Sequence, residues 1–431
     1  MRATEFQETP YWWEAAPPEN GAAGALPAEI DVAIVGAGYC GLCCALELAE
    51  NGVGVAVLEA GALGQGASTR NGGMVTGGQK LVVSGATAQI DPRQRARLLE
   101  DARDSLAMLE ARVSKYQLDA DYQRSGRVIL AHVPSHYRRL ERWAGLLSRE
   151  AGSETNVVPR QRLTEEIGGS RYHGGLVIAD YGGLHPAKYH RALRQAARRR
   201  GAGLHAHAAV TAIEPASTRF RVVTERGTIH SRDVFVATNG YTGPLIPHLR
   251  ARVLPVASYL VATESLPPGL AEHLSPRRRM FSDTRKNLAY FRLSPDGTRV
   301  LYGSRPSLLA RNPRTVAASL HRQLCDVWPE MHDVRIAHCW TGNVGMTADG
   351  LPHMGAFEGI HYALGCNGSG VAMMSYLGYQ AALKIMQRQN QPAAFDSPLF
   401  PPLPGLPLSP WLVPVVSEWY RTRDAFARLV G

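Results

Sequence analysis

The residues most able to do chemistry begin with three glycines. Val32-Ala33-Ile34-Val35-Gly36-Ala37-Gly38-Tyr39-Cys40-Gly41 sets them at G-x-G-x-x-G spacing, directly behind an apolar run. Gly36 permits a tight turn, Gly38 lets backbone approach a pyrophosphate, and Gly41 lets a following helix pack close to the strand. The N-terminus of that helix then faces the phosphates with the positive end of its dipole. A second apolar run closes on Leu58-Glu59-Ala60, which puts Glu59 18 residues past Gly41. A carboxylate at the end of that run accepts from both ribose hydroxyls and argues against a 2′-phosphate, hence against NADP.

A second glycine-rich stretch follows at once: Gly64-Gln65-Gly66-Ala67-Ser68-Thr69-Arg70-Asn71-Gly72-Gly73-Met74. A simple nicotinamide dehydrogenase has no use for it. A flavin does, because its pyrophosphate is long and its isoalloxazine must lie against backbone, so the cofactor expected is FAD. Far along the chain, Gly365, Gly368 and Gly370 lead into a helical stretch. Free N–H groups and the helix dipole there can face the flavin N1–C2=O edge, where reduction places negative charge. Asn367-Gly368-Ser369 also spells a glycosylation sequon, read here as accidental. Cys40, Cys43 and Cys44 fall on a helix already committed to a sheet, and no His/Cys pair stands at zinc spacing elsewhere. They read as small buried thiols, and no metal site is expected.

These residues need elements to hold them. A strand at 31–35, a helix at 39–50 and a strand at 54–58 make a βαβ unit around the first glycines. Helical periodicity spans 92–116, with Leu99, Ala102, Leu106, Leu109 and Val113 in one stripe. Helices are also expected at 187–200, 315–328 and 370–388. Short strands are expected at 126–132, 174–178, 210–213, 220–223 and 234–237. The stretch 250–303 reads as strands and turns, with Ser294-Pro295-Asp296-Gly297 a hairpin turn. The fold class is α/β: a Rossmann-like, glutathione-reductase-like FAD domain with an inserted β-rich α+β substrate domain. The FAD domain is assigned 27–90, 150–240 and 337–390, and the substrate or cap domain 91–149 and 241–336. An arm at 1–26 docks by Tyr11-Trp12-Trp13, and a proline-rich wrap covers 391–431.

Taken together, the motifs resemble the D-amino-acid-oxidase-like flavoproteins, and among them the gamma-glutamylputrescine oxidase-like members. The pieces are the first glycine motif with Glu59, GASTRNGGM at 66–74, VFVATNGYTG at 234–243, the hairpin at 290–303, WTG…TADGLPHMG at 340–355 and GCNGSGV at 365–371. They span Tyr11 to Lys384. The resemblance implies that Ala67 and Ser68 touch FAD phosphates or ribose, and that Asn71, Gly72, Gly73 and Met74 lie along the flavin. It further implies that Val210 offers backbone to the adenine. Gly365, Asn367, Gly368, Ser369, Gly370 and Val371 would form the second flavin loop, and Ala60 would flank the ribose acid.

The activity implied is oxidation of a C–N bond. A neutral amine places its α-C–H near flavin N5 and the cofactor carries the chemistry, so no general base is assigned and the catalytic residues stay open. Tyr259, Trp340, Val344 and Asn367 are the candidate pocket residues. In amino-acid-oxidising relatives an arginine clamps the substrate carboxylate; Val344 stands in that place here, and Asn367 where a second arginine occurs in glycine oxidase. The expected substrate is therefore a primary or secondary amine, with glycine, alanine and sarcosine poor. Arg285, Arg292 and Arg305 remain able to meet a carboxylate from another direction. Lys286, or a water beside His338, His353 or His361, is a candidate for assisting oxygen. Cys339 and Cys366 raise a covalent flavin link, although non-covalent FAD is the expectation. Two alternatives stay open: an α-amino-acid or sarcosine/glycine-type oxidase, and a non-catalytic flavin-binding subunit.

The bulk composition bounds these readings. The chain has 431 residues, 45% hydrophobic, with a formal charge of +10 carried almost wholly by arginine. The arginines are scattered apart from 198–200 and 277–279, which reads as a solvated basic surface, with no nucleic-acid partner. No signal peptide, no apolar run long enough to span a bilayer and no disulfide framework are visible, so a cytoplasmic setting is expected. The expected partners are a small amine and oxygen; oligomeric state is left open.

Overall fold

β-Branched and aliphatic runs build the framework of the computed structural model, which describes residues 6–21, 24–285, 288–305, 312–397 and 399–403. The first half holds β1 (Glu29–Val35), α1 (Tyr39–Glu50), β2 (Val55–Leu58), β3 (Met74–Thr76), α2 (Gln79–Val83), α3 (Pro92–Lys115), β4 (Arg127–Leu130), α4 (Pro134–Ala151), β5 (Thr155–Pro159), β6 (Gly174–Ile178), β7 (Tyr181–Gly183), α5 (Pro186–Arg199) and β8 (Gly203–His205). Then come β9 (Val210–Ala216), β10 (Arg219–Thr224), β11 (Gly227–Val236), α6 (Pro247–Arg250), β12 (Leu254–Thr263), α7 (Leu270–Leu274), β13 (Met280–Asp283), β14 (Tyr290–Leu293) and β15 (Val300–Ser304). The rest is α8 (Pro313–Val327), β16 (Ile336–Met346), β17 (His353–Phe357), β18 (Ile360–Leu364) and α9 (Gly370–Ile385).

The first sheet runs β17-β18-β11-β1-β2-β8, with β10 and β9 folding off β11. β1 lies parallel to both β2 and β11, pairing Val32–Val35 with Val55–Leu58 on one side and with Asp233–Val236 on the other. One face of this sheet packs Val32, Ile34, Val55 and Val57 against helices, and the other packs Ala33, Val35, Ala56 and Leu58 against the β9–β11 strands, so the ends of β1 and β2 read as apolar runs because both faces are covered. Helices α1, α3, α5 and α9 share one core with it. α1 and α9 meet backbone to backbone: a Cβ built on Gly378 would lie 2.1 Å from the Cys40 carbonyl oxygen. Cys40, Cys43 and Cys44 are buried in this contact, as their helix face implies.

The second sheet runs β16-β12-β15-β14-β13-β4-β6-β5 and is antiparallel except for β13 beside β4. Its outer face packs Tyr259, Phe281, Phe291 and Tyr302 against Leu320 and Leu324 of α8 and against Trp328, which ends that helix. Strand alternation sends Leu260 and Ala262 to the other face, with Trp340 and Trp12. The hairpin at Ser294–Gly297 forms as expected between β14 and β15, closed by Gly297 N donating to Ser294 O.

Strand membership departs from the sequence-based division. β5, β6 and β16 belong to the second sheet, although 150–240 and 337–390 were assigned to the FAD domain. Conversely α3, assigned to the cap, packs Leu98, Leu99, Ala102, Leu106 and Leu109 into the core of the first sheet. Alternation reveals that a strand has a buried face but not which sheet supplies its partner. Helix α4 escaped the sequence reading; Pro at its first turn and an apolar stripe were the available signals.

The arm docks by its aromatics, with Trp12 fully buried. Gln7 pairs with His338 on the edge strand β16. The tail lies along β17, where Asp396 bridges to Met354 and pairs with Lys384, and Phe400 stacks on His353; the part of the wrap from 404 onward lies outside the described residues. Among the described residues no helix is long and apolar enough to cross a membrane. The arginine clusters are tied down locally, Arg198 to Glu19 and Arg200 to Glu50, Arg277 and Arg279 to Glu166.

Candidate cofactor and substrate site

β1 ends in Gly36, whose φ of +105° is a backbone state open to glycine. A Cβ on Gly41 would sit 2.0 Å from the Gly36 oxygen, so the tight strand-to-helix turn needs both glycines. Glu59 stands at the end of β2, one carboxylate oxygen accepting from Ala37 N at 2.9 Å and the other from Gly61 N at 3.2 Å. Each oxygen keeps a further lone pair for a hydroxyl. Ala208 N donates to Glu59 O, which brings Val210, at the start of β9, to the same end of the sheet. Ala60 is exposed beside it. His190 of α5 contacts the Ala37 carbonyl at 2.7 Å from Nε2, and burial holds this ring down at about 4. It is therefore neutral and donates that proton to the loop.

The second glycine loop is bound by three indoles. Trp13 Nε1 donates to Thr69 Oγ1, Trp340 Nε1 to Arg70 O, and Trp12 Nε1 to Asn71 O, each at 2.9 Å. Asn71 turns inward, donating to Ala67 O and Ser68 O and accepting from Gly73 N. Ser68 Oγ accepts from Tyr39 N at the start of α1, so the two glycine loops touch directly. Gly72 lies under Tyr290, and Met74 opens β3, paired to Gly183 of β7.

The third loop, 365–371, closes against β16. Asn367 has a φ of +47°; its Oδ1 accepts from Thr347 N and its N–H donates to Gly345 O. Asn239, in the turn after β11, accepts from both Gly365 N and Cys366 N. Gly368 is exposed, Ser369 precedes α9, and Gly370 and Val371 open that helix. Lys80 Nζ of α2 donates to the Asn367 carbonyl. Asn239, Lys80 and Tyr290 were missed in the sequence reading. Asn239 lies in an Asn-Gly step after an apolar strand, and Lys80 is one of five lysines in an arginine-rich chain; both were available signals.

The cradle fits a dinucleotide that carries a flavin: a glycine turn onto a helix N-terminus, an acid at the next strand end, and two further loops with exposed backbone beside them. The other pocket candidates sort differently. Tyr259 is fully buried on the α8 side of β12, away from the loops, because alternation turns 258 and 260 toward them; it is not a pocket wall. Trp340 supports the second glycine loop through its N–H. Val344 is half-buried on β16 opposite Val256, and Asn367 is spent on loop geometry.

Of the three arginines, Arg285 is paired with Asp283 at 2.5 Å. Arg292 is buried, its guanidinium given to the carbonyls of Gly73, Leu184 and Leu293. Burial lowers it to about 10. Arg305 alone stands beside the third loop. His338 ties Thr9 and Glu14 of the arm, and His353 is held by Asp349. Lys286 lies outside the described residues. The Cys339 thiol faces Pro313 O in the α8 core, where burial pushes it up to about 12, so it is not aimed at the glycine loops. Cys366 is buried within the third loop.

Residues 31–382 match the family model described as FAD dependent oxidoreductase. The chain belongs to that family. It is an enzyme, an oxidoreductase. It is 31% identical over 420 residues to the probable oxidoreductase OrdL of Rhizobium meliloti, covering 96% of this chain and 97% of that one. It is 31% identical over 384 residues to the gamma-glutamylputrescine oxidoreductase of Escherichia coli, covering 87% and 88%. Among solved structures, glycine oxidase from Geobacillus kaustophilus aligns with a TM-score of 0.72 at 22% identity, over 88% of this chain and 99% of that one. That likeness shows the FAD-dependent oxidoreductase fold expected from the sequence.

Proposed function

We propose that this oxidoreductase uses non-covalent FAD to oxidise a C–N bond in a primary or secondary amine, with oxygen taking the electrons. The observation that carries the reading is the convergence of three glycine-bearing loops, 36–41, 66–74 and 365–371, at one end of the first sheet, facing the second. When bound, FAD accepts a hydride from the carbon next to nitrogen and leaves an imine that water hydrolyses. The chain's own part is to bind and orient. Glu59 takes the ribose hydroxyls, and Ala67 and Ser68 the phosphates or ribose. Val210 meets the adenine. Gly72, Gly73 and Met74 would line the flavin, and the backbone N–H groups at the start of α9 would stabilise the negative charge it gains on reduction. The first sheet serves the cofactor and the second the substrate.

The relative named gamma-glutamylputrescine oxidoreductase supports an amine; glycine oxidase supports an amino acid as the second reading. The buried, inward-facing Cys339 supports a non-covalent flavin. Six free buried cysteines support a reducing, cytoplasmic setting. The test is an anaerobic screen of amines and amino acids for bleaching of the flavin absorbance, followed by admission of oxygen. Bleaching by amines and recovery on oxygen are expected. If no amine or amino acid ever bleaches a protein fully loaded with FAD, it is a flavin-binding subunit and the reading fails.

A further inference from the structure

Two cations meet at the third loop, and among the described residues neither is ion-paired with a carboxylate. A Cβ built on Gly368 would lie 2.6 Å from Arg305 Nη2 and 3.9 Å from Lys80 Nζ, so both heads flank one exposed glycine. They come from different parts of the chain, Lys80 from α2 and Arg305 from the end of β15. Lys80 spends one donor on the Asn367 carbonyl and keeps two. Arg305 Nε is buried and has no hydrogen-bond partner among the described residues. Lys80 also lines, with Cys366, Asn367, Ser369 and Met373, a narrow cavity of about 30 Å³. Both side chains are half-buried, and partly desolvated cations with unused donors are stabilised when an anion meets them.

We propose that Lys80 and Arg305 form the anion-recognition pair of the substrate site and take the carboxylate of an amine that carries one. The inference rests on the amine-oxidising reading above. It supplies from another side the charge that Val344 does not provide. A guanidinium and an ammonium around one anion give charge-assisted hydrogen bonds, each stronger than a neutral one. Burial holds Lys80 down at about 8, with Arg305 and Arg127 opposing its charge and Cys366 favouring it. The Arg127 guanidinium is committed to Ser282. Anion affinity should therefore weaken as pH rises past about 8 and Lys80 loses its proton.

The experiment compares 5-aminopentanoate with pentylamine, and glycine with methylamine, on the FAD-loaded enzyme. Acetate titrated without amine is followed by perturbation of the flavin spectrum. Expected are a tenfold or greater kcat/KM preference for the carboxylate in at least one pair, carried mainly by KM, and saturable acetate binding. Lys80→Met and Arg305→Met should each collapse that preference toward one and weaken acetate binding at least tenfold, while Lys80→Arg restores much of both. Should Lys80→Met fail to fold, Arg305→Lys and the wild-type acetate titration across pH 6.5–9 decide. Equal use of charged and neutral partners, or a preference that survives both substitutions, overturns the inference. If no amine bleaches the flavin yet acetate binding depends on both residues, the anion site stands and the amine reading alone fails.

Discussion

Glu59 is the residue on which the cofactor assignment turns. It is oriented before any ligand arrives, by N–H donors from Ala37 and Gly61, and a charged acceptor to a ribose hydroxyl contributes roughly 1.5–3 kcal/mol. Glu59→Gln should therefore weaken FAD binding by about 10- to 100-fold, measured by fluorescence as free flavin is quenched on titration into apoprotein; unchanged affinity would place the ribose elsewhere. Val344 poses the complementary question. If the clamp of amino-acid-oxidising relatives is missing there, Val344→Arg should raise kcat/KM for glycine by about tenfold, the value of 1.4 kcal/mol in a transition state. A drop with every substrate, accompanied by a lower Tm, would mean that Val344 serves only the packing beside the third loop.

Among the elements, α1 and α5 show what periodicity reveals and what it hides. The βαβ unit, the glycine turn and Glu59 were legible because each requirement is local: a spacing, a turn and a strand end. The three-indole support of the second glycine loop was not, because Trp12, Trp13 and Trp340 come from opposite ends of the chain and nothing in their spacing announces a common partner. Tyr259 failed for a related reason, since a one-residue step along β12 turns a side chain to the opposite face. Lys80 and Arg305 converge only through tertiary packing. The close approach of α1 and α9 yields a direct test: Gly378→Ala must push against the Cys40 carbonyl, and overpacking of this kind costs about 1–3 kcal/mol, visible as a lower urea midpoint. α5 yields a pH test. Burial holds His185 and His190 at about 4, below the ordinary value of 6.5. Between those values the unfolded chain binds more protons than the folded one, so their stabilisation is complete above pH 6.5 and is lost as pH falls toward 4. Each ring should contribute a slope of up to about 1.4 kcal/mol per pH unit within that window. His190→Gln, which keeps a donor for Ala37 but cannot titrate, should flatten the curve of Tm against pH there; an unchanged curve would show that His190 is not the group responsible.

At the scale of the whole molecule, the N-terminal arm joins what the two sheets do. Gln7 pairs along the outer edge of β16 with reciprocal bonds to Ala337 O and from Cys339 N, so the arm covers an edge that would otherwise present unpaired backbone. A few residues on, Trp12 is buried between His185 and the second sheet and holds the Asn71 carbonyl, while Glu14 meets His338. One strap therefore contacts both the edge of the second sheet and the loop expected to lie along the flavin. Removing the Trp12 side chain should cost about 3–5 kcal/mol in packing, whereas Trp12→Phe, which loses chiefly the N–H bond to the loop, should cost nearer 1 kcal/mol. The two variants separate stability from cofactor organisation. A ligand that binds only the folded state stabilises it by about 2.7 kcal/mol at 100 times its Kd, so FAD should raise the wild-type Tm markedly. If the strap orders the loop for the cofactor, that FAD-induced rise should shrink in Trp12→Phe even though the apoprotein Tm moves little, and flavin should be released more readily on dilution. A Trp12→Phe protein that gains as much from FAD as the wild type would confine the arm to a structural role at the edge of β16.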